Sequence, residues 1–497
     1  MNILYVCTEV YPLLKTGGLA DVSAALSAAL RDLGCDVRLL LPGFAPIAAG
    51  FVADGPPLKL SATGGPEIVR TLKPAPTLLP GRLSMTGQPA YLLDAPALYH
   101  RDGGPYLDAQ GNEWPDNAQR FALLAWAAAG LGCGGDPSWR PDVVHAHDWH
   151  AGLAPLYLQQ LAGSGPRPAT VYTVHNLAYQ GLFDPETLGA LGLPSSLFRF
   201  DGVEAHGKVS FMKAGLQFAD AITTVSPRYA REIMTPEQGC GLDGVLRYRA
   251  DQVTGILNGV DYAVWNPAAD PLVQPAFDHT QLAGKALAKQ SLQRLLGLDE
   301  RPDALLFGAV TRLSEQKGLH LLPTVLDEMV ASGGQLVVLG SGDAAIEAAM
   351  ADAVARHPGR AVLRRGYDET LAHRIFAGAD VLLVPSRFEP CGLTQLYALR
   401  YGALPLVHGV GGLADTVTDC SAQALAEKTA SGFVFHDFSP QGLSGAMRRS
   451  FDLFRRPADW VTVQTHAMQL RFDWRDAAQA YLHLFQCLQR VPGTGRA

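Results

Sequence analysis

Residues 1–26 read MNILYVCTEVYPLLKTGGLADVSAAL, and their pattern sets the architecture. Ile3–Cys7 is a short unbroken apolar run, a loop follows to Gly18, and an Ala- and Leu-rich amphipathic stretch begins near Leu19. An unbroken apolar strand is buried on both faces, and such strands belong to parallel sheets covered by helices. The same unit recurs along the chain. In the first half, Val37–Leu41, Val143–Ala146, Thr170–Val174 and Ile222–Val225 are separated by helical stretches. In the second half the runs are Val253–Leu257, Leu305–Val310, Gln335–Leu339, Val362–Arg364, Val381–Val384, Leu404–Val407 and Phe433–Phe435. Alternation of this kind means βαβ units. The runs are too many for one doubly wound sheet of about six strands. The expected fold is therefore α/β, with two doubly wound parallel sheets in tandem.

The break between them is expected at Asn258–Pro267, NGVDYAVWNP, which follows a strand, contains Gly259 and Pro267 and lacks helical periodicity. Pro271 and Pro275 follow. A last helix is expected at roughly Ala477–Leu488. The stretch from Phe44 to Arg120 is rich in Gly, Pro and short apolar pieces and reads as insertions on the first sheet, with a weak strand at Ala90–Leu93.

Composition removes several functional classes. The 497 residues are 48% hydrophobic and 18% charged, which supplies packed cores and argues against disorder. The 52 Gly and 34 Pro show no period, so a collagen-like chain is excluded. The net charge of −7, without a basic run, points away from nucleic acid. Seven widely spaced cysteines without a C-x-x-C pair read as reduced thiols of a cytoplasmic protein. MNILYVCTEVYP has no basic leader region and carries Glu9 early, so it reads as a strand and not as a targeting segment. No apolar run approaches the roughly 18–20 residues of a membrane span.

Six motifs carry chemistry. In YPLLKTGGLADVSAAL, Gly17 and Gly18 admit close approach of a ligand to a helix start, and Lys15 adds a charge. Together these make an anion site at the carboxyl edge of the first strand. The plain alternative is a βα turn with a solvated lysine. The motif is not a phosphate-binding G-x-x-x-x-G-K-[ST] loop. In VVHAHDWHAGL, His145, His147, Asp148 and His150 invite a metal reading. Asp148 directly follows His147, however, which is the wrong register for H-x-H-x-D-H. Packed histidines, or Asp148 binding a polyhydroxyl substrate with Trp149 as a stacking face, are the other readings. In TVHNLAYQGLF, His175 and Asn176 follow a strand of the same sheet.

In AVTRLSEQKGLHLL, Arg312 and Lys317 come just after a strand of the second sheet and can grip a diphosphate. In VPSRFEPCGLTQLYALRYG, Glu389 suits sugar hydroxyls or a developing positive charge, and the N–H groups of Gly392–Gln395 suit an anion. No partner histidine supports Cys391 as a nucleophile. In VHGVGGLADTV, Gly409, Gly411 and Gly412 open a helix, and Asp415 and Thr416 are expected in its first turn, with capping as the simpler role.

Taken in order, KTGGLADV, HAHDWHAGL, TVHNLAYQG, ILNGVDYAVWNP, RLSEQKG, SRFEPCGLTQ and GGLADT resemble the bacterial glycogen synthase and plant starch synthase family of glucosyltransferases. LYHRDGGPYLDAQGNEWPDNAQRFALL, from Leu98, has the same likeness, and with no transit peptide the bacterial branch fits better. The resemblance implies two Rossmann-like domains of the GT-B type facing a cleft. Residues 1–258, rejoined by a C-terminal helix at 475–497, would form the acceptor side with the Lys15 loop, and residues 259–474 would bind the ADP-sugar. It implies transfer of glucose from ADP-glucose to the non-reducing 4-OH of an α-1,4-glucan (glycogen or maltooligosaccharides), with retention, in the cytoplasm and without cofactor or metal.

By the same resemblance, Lys15, Arg312 and Lys317 neutralise the diphosphate, His175 and Asn176 bind the donor glucose, and Glu389 binds its hydroxyls. Asp148 orients the sugar or acceptor, Tyr367 of RRGYDE stacks on adenine, and Asn258 sits near the sugar. Gly17, Gly18, Cys391, Gly392, Leu393, Thr394 and Thr416 complete the substrate-binding set. Related retaining enzymes often carry a second Glu eight positions on; here that position is Tyr397.

Breaking a glucosyl–diphosphate bond builds an oxocarbenium-like sugar and a leaving group of growing negative charge. Cations and helix starts stabilise that charge, each contact lowering the barrier by roughly 2–4 kcal/mol. No carboxylate nucleophile stands out, so a front-face route is favoured, in which the departing phosphate accepts the acceptor's proton. Closure about a hinge at Asn258–Pro267 is expected to accompany donor binding. The competing readings are a metal-dependent hydrolase on His145, His147, Asp148 and His150, a non-catalytic glucan or nucleotide binder, and a related transferase using UDP-glucose or another sugar.

Overall fold

The computed structural model describes residues 1–490. The chain divides into two compact units, Met1–Gly259 with the helix that begins at Trp474, and Val260–Asp473. No helix among the described residues is long and apolar enough to cross a membrane.

In the first unit, parallel strands lie in the order Val253–Gly255, Ala221–Thr224, Ala169–Val174, Val143–His147, Asn2–Val6, Asp36–Pro42 and Pro89–Asp94. Ile3, Leu4, Tyr5 and Val6 are fully buried, as an unbroken apolar run requires. From Asn2–Val6 the chain first builds outward on one side to Asp36–Pro42, and later on the other to Val143–His147. The strand order therefore reverses between Asn2–Val6 and Val143–His147. The 44–120 insertion supplies Pro89–Asp94 and an antiparallel extension, Thr77–Leu83 and Phe51–Ala53.

The helix Gly18–Asp32 buries Leu19, Val22, Ser23, Leu26 and Leu30 on one face. Its buried hydroxyls are satisfied within the helix, Ser23 Oγ donating to Leu19 O and Ser27 Oγ to Ser23 O. The helix Trp474–Arg490 packs against it and sends Tyr481 and Phe485 into the core beside His145. Residues 491–497, the end of the expected C-terminal helix, lie outside the described residues. Gly259 meets this helix at its start: a Cβ there would lie 2.5 Å from Trp474 N. Arg120, buried in the helix Asn117–Gly132, donates to Leu98 O, Pro105 O and Asn117 Oδ1. It thereby ties the 98–117 segment to the core.

In the second unit six parallel strands lie in the order Ala361–Arg364, Gln335–Leu339, Leu306–Val310, Val381–Val384, Leu404–His408 and Phe433–Phe435. Numbered along the chain this is 3-2-1-4-5-6, the doubly wound order, whose reversal lies between Leu306–Val310 and Val381–Val384. The 260–277 segment is anchored here. Trp265 stacks on His373 at 3.9 Å and on Tyr397 at 4.0 Å. Asp270 Oδ2 bonds His373 Nδ1 at 2.6 Å and accepts from Tyr401 OH. Tyr397 is thus a packing residue beneath Trp265.

Candidate active site

Ligands of open α/β sheets bind at the carboxyl ends of the strands, where the strand order reverses. Each unit has one such point, and each gathers residues singled out from the sequence.

In the first unit the loop after Asn2–Val6 carries Lys15 to the start of the helix Gly18–Asp32. Gly17 and Gly18 are exposed there, and no side chain caps the helix. The first-turn N–H groups face outward with the positive end of the dipole. Lys15 Nζ pairs with Asp21 Oδ1 at 3.0 Å and lies 5.4 Å from the Tyr11 ring centroid. The loop is held by Glu9, only 2% exposed, which accepts from the Thr16 N–H at 2.5 Å and the Thr16 hydroxyl at 2.6 Å. Tyr106 of the 98–117 segment donates its hydroxyl to the same carboxylate. Sequence reading passed over Glu9 as a site element. Its signal was a carboxylate two residues beyond a wholly apolar strand, a position that demands hydrogen-bond partners.

Beside it, the strand Val143–His147 ends in Asp148, whose backbone sits at φ 55°, ψ −178°. Only glycine reaches that region cheaply, so the site stores about 1–3 kcal/mol of strain. Asp148 Oδ1 accepts the N–H of His175 at 2.8 Å and of Asn176 at 3.4 Å, joining two strand ends. Burial pushes the Asp148 carboxyl up to about 7; the two N–H bonds oppose the rise and the charge of Glu9 adds to it.

The neighbouring histidines are packed in the core, the His145 and His147 ring centroids 4.0 Å apart. His145 Nε2 bonds Thr173 Oγ1, His147 Nδ1 bonds His175 Nε2 at 2.9 Å, and His150 stacks on Tyr106. Among the described residues no group of three or more His, Cys, Asp or Glu side chains is arranged to hold a cation. This arrangement is the packed-histidine alternative. Trp149, a candidate sugar-stacking face, is half-buried: it packs edge-to-face on Phe121, and a Cβ on Gly181 would lie 2.3 Å from its ring. Asn258 is buried three residues beyond Val253–Gly255, the edge strand four places from Asn2–Val6 in the sheet.

These titrations have a sign. Burial pushes His145, His150 and His175 down to about 3 and holds His147 well below its ordinary value. The unfolded chain therefore binds more protons below pH 6.5, and stability falls as pH drops from there toward 3. Asp148 acts oppositely: its raised value costs nothing below pH 3.8, and the cost grows up to about pH 7. Asp148→Asn should stabilise the first unit by a few kcal/mol, roughly 4 at most, at pH 8. At pH 3.5 it should have little effect, which thermal or urea unfolding at both pH values would check.

In the second unit Arg312 follows Leu306–Val310, and the turn 314–318 folds back through Lys317 N–H to Ser314 O. Gly318 sits at φ +71°, and a Cβ there would lie 1.9 Å from Pro385 O. Only glycine lets this turn close on the loop after Val381–Val384. Arg387 N–H then donates to Gln316 O. Lys317 Nζ reaches Glu389 Oε2 at 2.6 Å, and the same oxygen accepts from Ser386 Oγ at 2.9 Å. Glu389 is 6% exposed.

Cys391, Gly392, Leu393 and Thr394 form the turn into the short helix Thr394–Arg400. Gln395 Nε2 donates to Cys391 O, Gly392 O and Thr416 Oγ1, and Gly412 N–H donates to Glu389 O. Gly412 presses on Cys391, a Cβ falling 2.2 Å from Cys391 O. Thr416 differs from the expectation. It ends the six-residue helix Gly411–Thr416 instead of lying in its first turn, and its hydroxyl donates back to Gly412 O at 2.6 Å. Buried there, it buttresses the 391–395 turn and caps nothing. Tyr367, 64% exposed, stands after the edge strand Ala361–Arg364, two strands from the reversal, and donates its hydroxyl to Glu369.

A family model described as the starch synthase catalytic domain matches residues 2–248, and one described as glycosyl transferases group 1 matches residues 302–450. Glycogen synthase of Albidiferax ferrireducens is 58% identical over 98% of this chain and 99% of its own. Glycogen synthase of Francisella tularensis subsp. novicida is 50% identical over 99% of both chains. The catalytic domain of starch synthase IV from Arabidopsis thaliana, solved bound to ADP and acarbose, is 30% identical with a TM-score of 0.86, covering 98% of this chain and 99% of that one. With two doubly wound sheets of the GT-B type and full-length relatives of one activity, the chain belongs to the glycogen and starch synthase family of glycosyltransferases.

Proposed function

We propose that the chain transfers glucose from ADP-glucose to the non-reducing 4-OH of an α-1,4-glucan such as glycogen or a maltooligosaccharide, with retention and without a metal. The observation that carries this reading is the Lys317–Glu389 pair at the strand reversal of the second unit. It puts a cation for a diphosphate and a carboxylate for sugar hydroxyls on one spot, with Arg312 on the same loop. That the plant relative was solved with ADP and acarbose supports a nucleotide and a glucan as the ligand classes.

In this reading residues 259–474 bind the ADP-sugar, and residues 1–258 with the C-terminal helix serve the acceptor and the Lys15 loop. Lys15, Arg312 and Lys317 act on one diphosphate. On donor binding the Lys317 ammonium trades Glu389 Oε2 for a phosphate oxygen, and Glu389, still held by Ser386, turns to the sugar hydroxyls. Outward N–H groups at Gly17–Gly18 and at Gly392, Leu393 and Thr394, where Cys391 shapes the turn, add fixed dipoles toward the leaving group. His175 and Asn176 hold the donor glucose, Asn258 lies near the sugar, and the exposed Tyr367 ring stacks on adenine.

Asp148, its carboxyl near neutrality and aimed by two backbone N–H groups, accepts or donates a hydrogen bond at the acceptor hydroxyl without a full buried charge. The departing phosphate then takes the proton of the 4-OH as the new bond forms on the same face. That route requires positioning and no protein nucleophile.

One incubation tests the reaction. Glycogen with ADP-[14C]glucose should become labelled, UDP-[14C]glucose should label it far less, and EDTA should leave the rate unchanged. Preferential labelling from the UDP sugar, or loss of rate in EDTA, would sink the donor assignment or the metal-independent mechanism respectively.

A further inference from the structure

Beneath His175 lies a second imidazole that the reaction scheme does not use. His147 is fully buried at the end of the strand Val143–His147, and its ring stacks on Tyr5 at 4.0 Å. Its Nδ1 meets His175 Nε2 at 2.9 Å. Two imidazole nitrogens at that distance must share one proton, since each neutral ring has one donor and one acceptor nitrogen. Burial keeps both rings neutral, so tautomerism decides which nitrogen donates.

The surroundings break the tie. His147 Nε2 is buried and has no hydrogen-bond partner among the described residues. If His175 were the donor, His147 would carry its proton on Nε2 and bury an N–H with no acceptor, a rarity in folded proteins. If His147 Nδ1–H is the donor, one N–H lies in the His147–His175 bond, the other is on His175 Nδ1, and none is left on the buried His147 Nε2. The His175 backbone is meanwhile pinned by Asp148.

We infer that His147 is a positioning residue: its Nδ1–H donates to His175 Nε2, locks His175 in the Nδ1–H tautomer, and so turns its Nδ1 into a hydrogen-bond donor toward the oxygen of a sugar hydroxyl. This rests on the reading above that His175 contacts the donor glucose. It adds a polarity, with His175 donating and the hydroxyl accepting, and it makes a buried residue responsible for it.

The decisive measurement is long-range 1H–15N correlation on the full chain labelled with [15N]histidine, with the His175 resonances identified by their loss in His175→Gln. The protonated nitrogen of wild-type His175 should be Nδ1. His147→Asn places an amide donor where Nδ1 was and should keep that tautomer; His147→Gln and His147→Phe, which lack a donor at that place, should move the proton toward Nε2. Outer partners of metal-binding imidazoles change affinity or activity about 10–100-fold, and the same orienting role is at issue here. The Gln and Phe variants should therefore lose kcat on that scale, while Asn retains it within about threefold. A wild-type His175 protonated on Nε2, or a tautomer indifferent to all three replacements, overturns the inference. The reading it rests on fails separately: His175→Ala turning over like the wild type would remove the sugar contact whatever the tautomer.

Discussion

Glu389→Ala should lower kcat by about 10²–10³-fold, the scale of losing one pre-organised electrostatic contact, and change the KM for ADP-glucose by less than about threefold. The asymmetry follows from what the carboxylate touches. Glu389 is buried and binds Lys317 and Ser386 through one oxygen. In the proposed reading, removing it leaves Lys317 and Arg312 in place for the diphosphate, so the donor should still bind. What is lost is the carboxylate proposed to meet the sugar hydroxyls and to balance positive charge as the bond breaks. Glu389→Gln separates shape from charge, because an amide oxygen can still accept from Ser386. Thermal unfolding of each variant is the control, since a half-buried lysine left without its carboxylate costs stability of its own. A kcat within about threefold of wild type would remove Glu389 from the chemistry.

In the proposed reading Lys15 meets the ground-state diphosphate and the contact strengthens as charge develops, so Lys15→Gln should raise the KM for ADP-glucose and lower kcat together, by about 10²-fold in kcat/KM. Lys15 is held at the helix start by Asp21 at 3.0 Å, in a loop that Glu9 clamps through both polar hydrogens of Thr16. The loss should therefore reflect charge and not a collapsed loop. Lys15→Arg, which keeps the charge but not the compact ammonium, should fall between. An unchanged donor KM in Lys15→Gln would mean that the first unit's cation does not meet the diphosphate.

Much of this arrangement was legible along the chain. Each parallel strand was visible as an apolar run, and in the central strands burial on both faces leaves no room for polar alternation; the runs and the strands differ by a residue or two at their ends. Lys15, Asp148, His175, Arg312, Lys317 and Glu389 each lie shortly after such a run. Parallel strands all point the same way, so residues that follow them gather on one edge of their sheet. Thr416 was misplaced because a glycine pair marks a helix start but not its length, and that helix is six residues long.

Local order could reach no further than each strand and the edge its next loop occupies. Which strands are neighbours depends on apolar faces that meet across long stretches of chain. That pairing puts Glu389 against Lys317, 72 positions away, and Tyr106 against Glu9, 97 positions away. The contact of His147 with His175 and the strained backbone of Asp148 are of the same kind. Hydrophobic periodicity records that a strand is buried but not what it is buried against, so the edge of the site was written in the chain and its pairings were made only by folding.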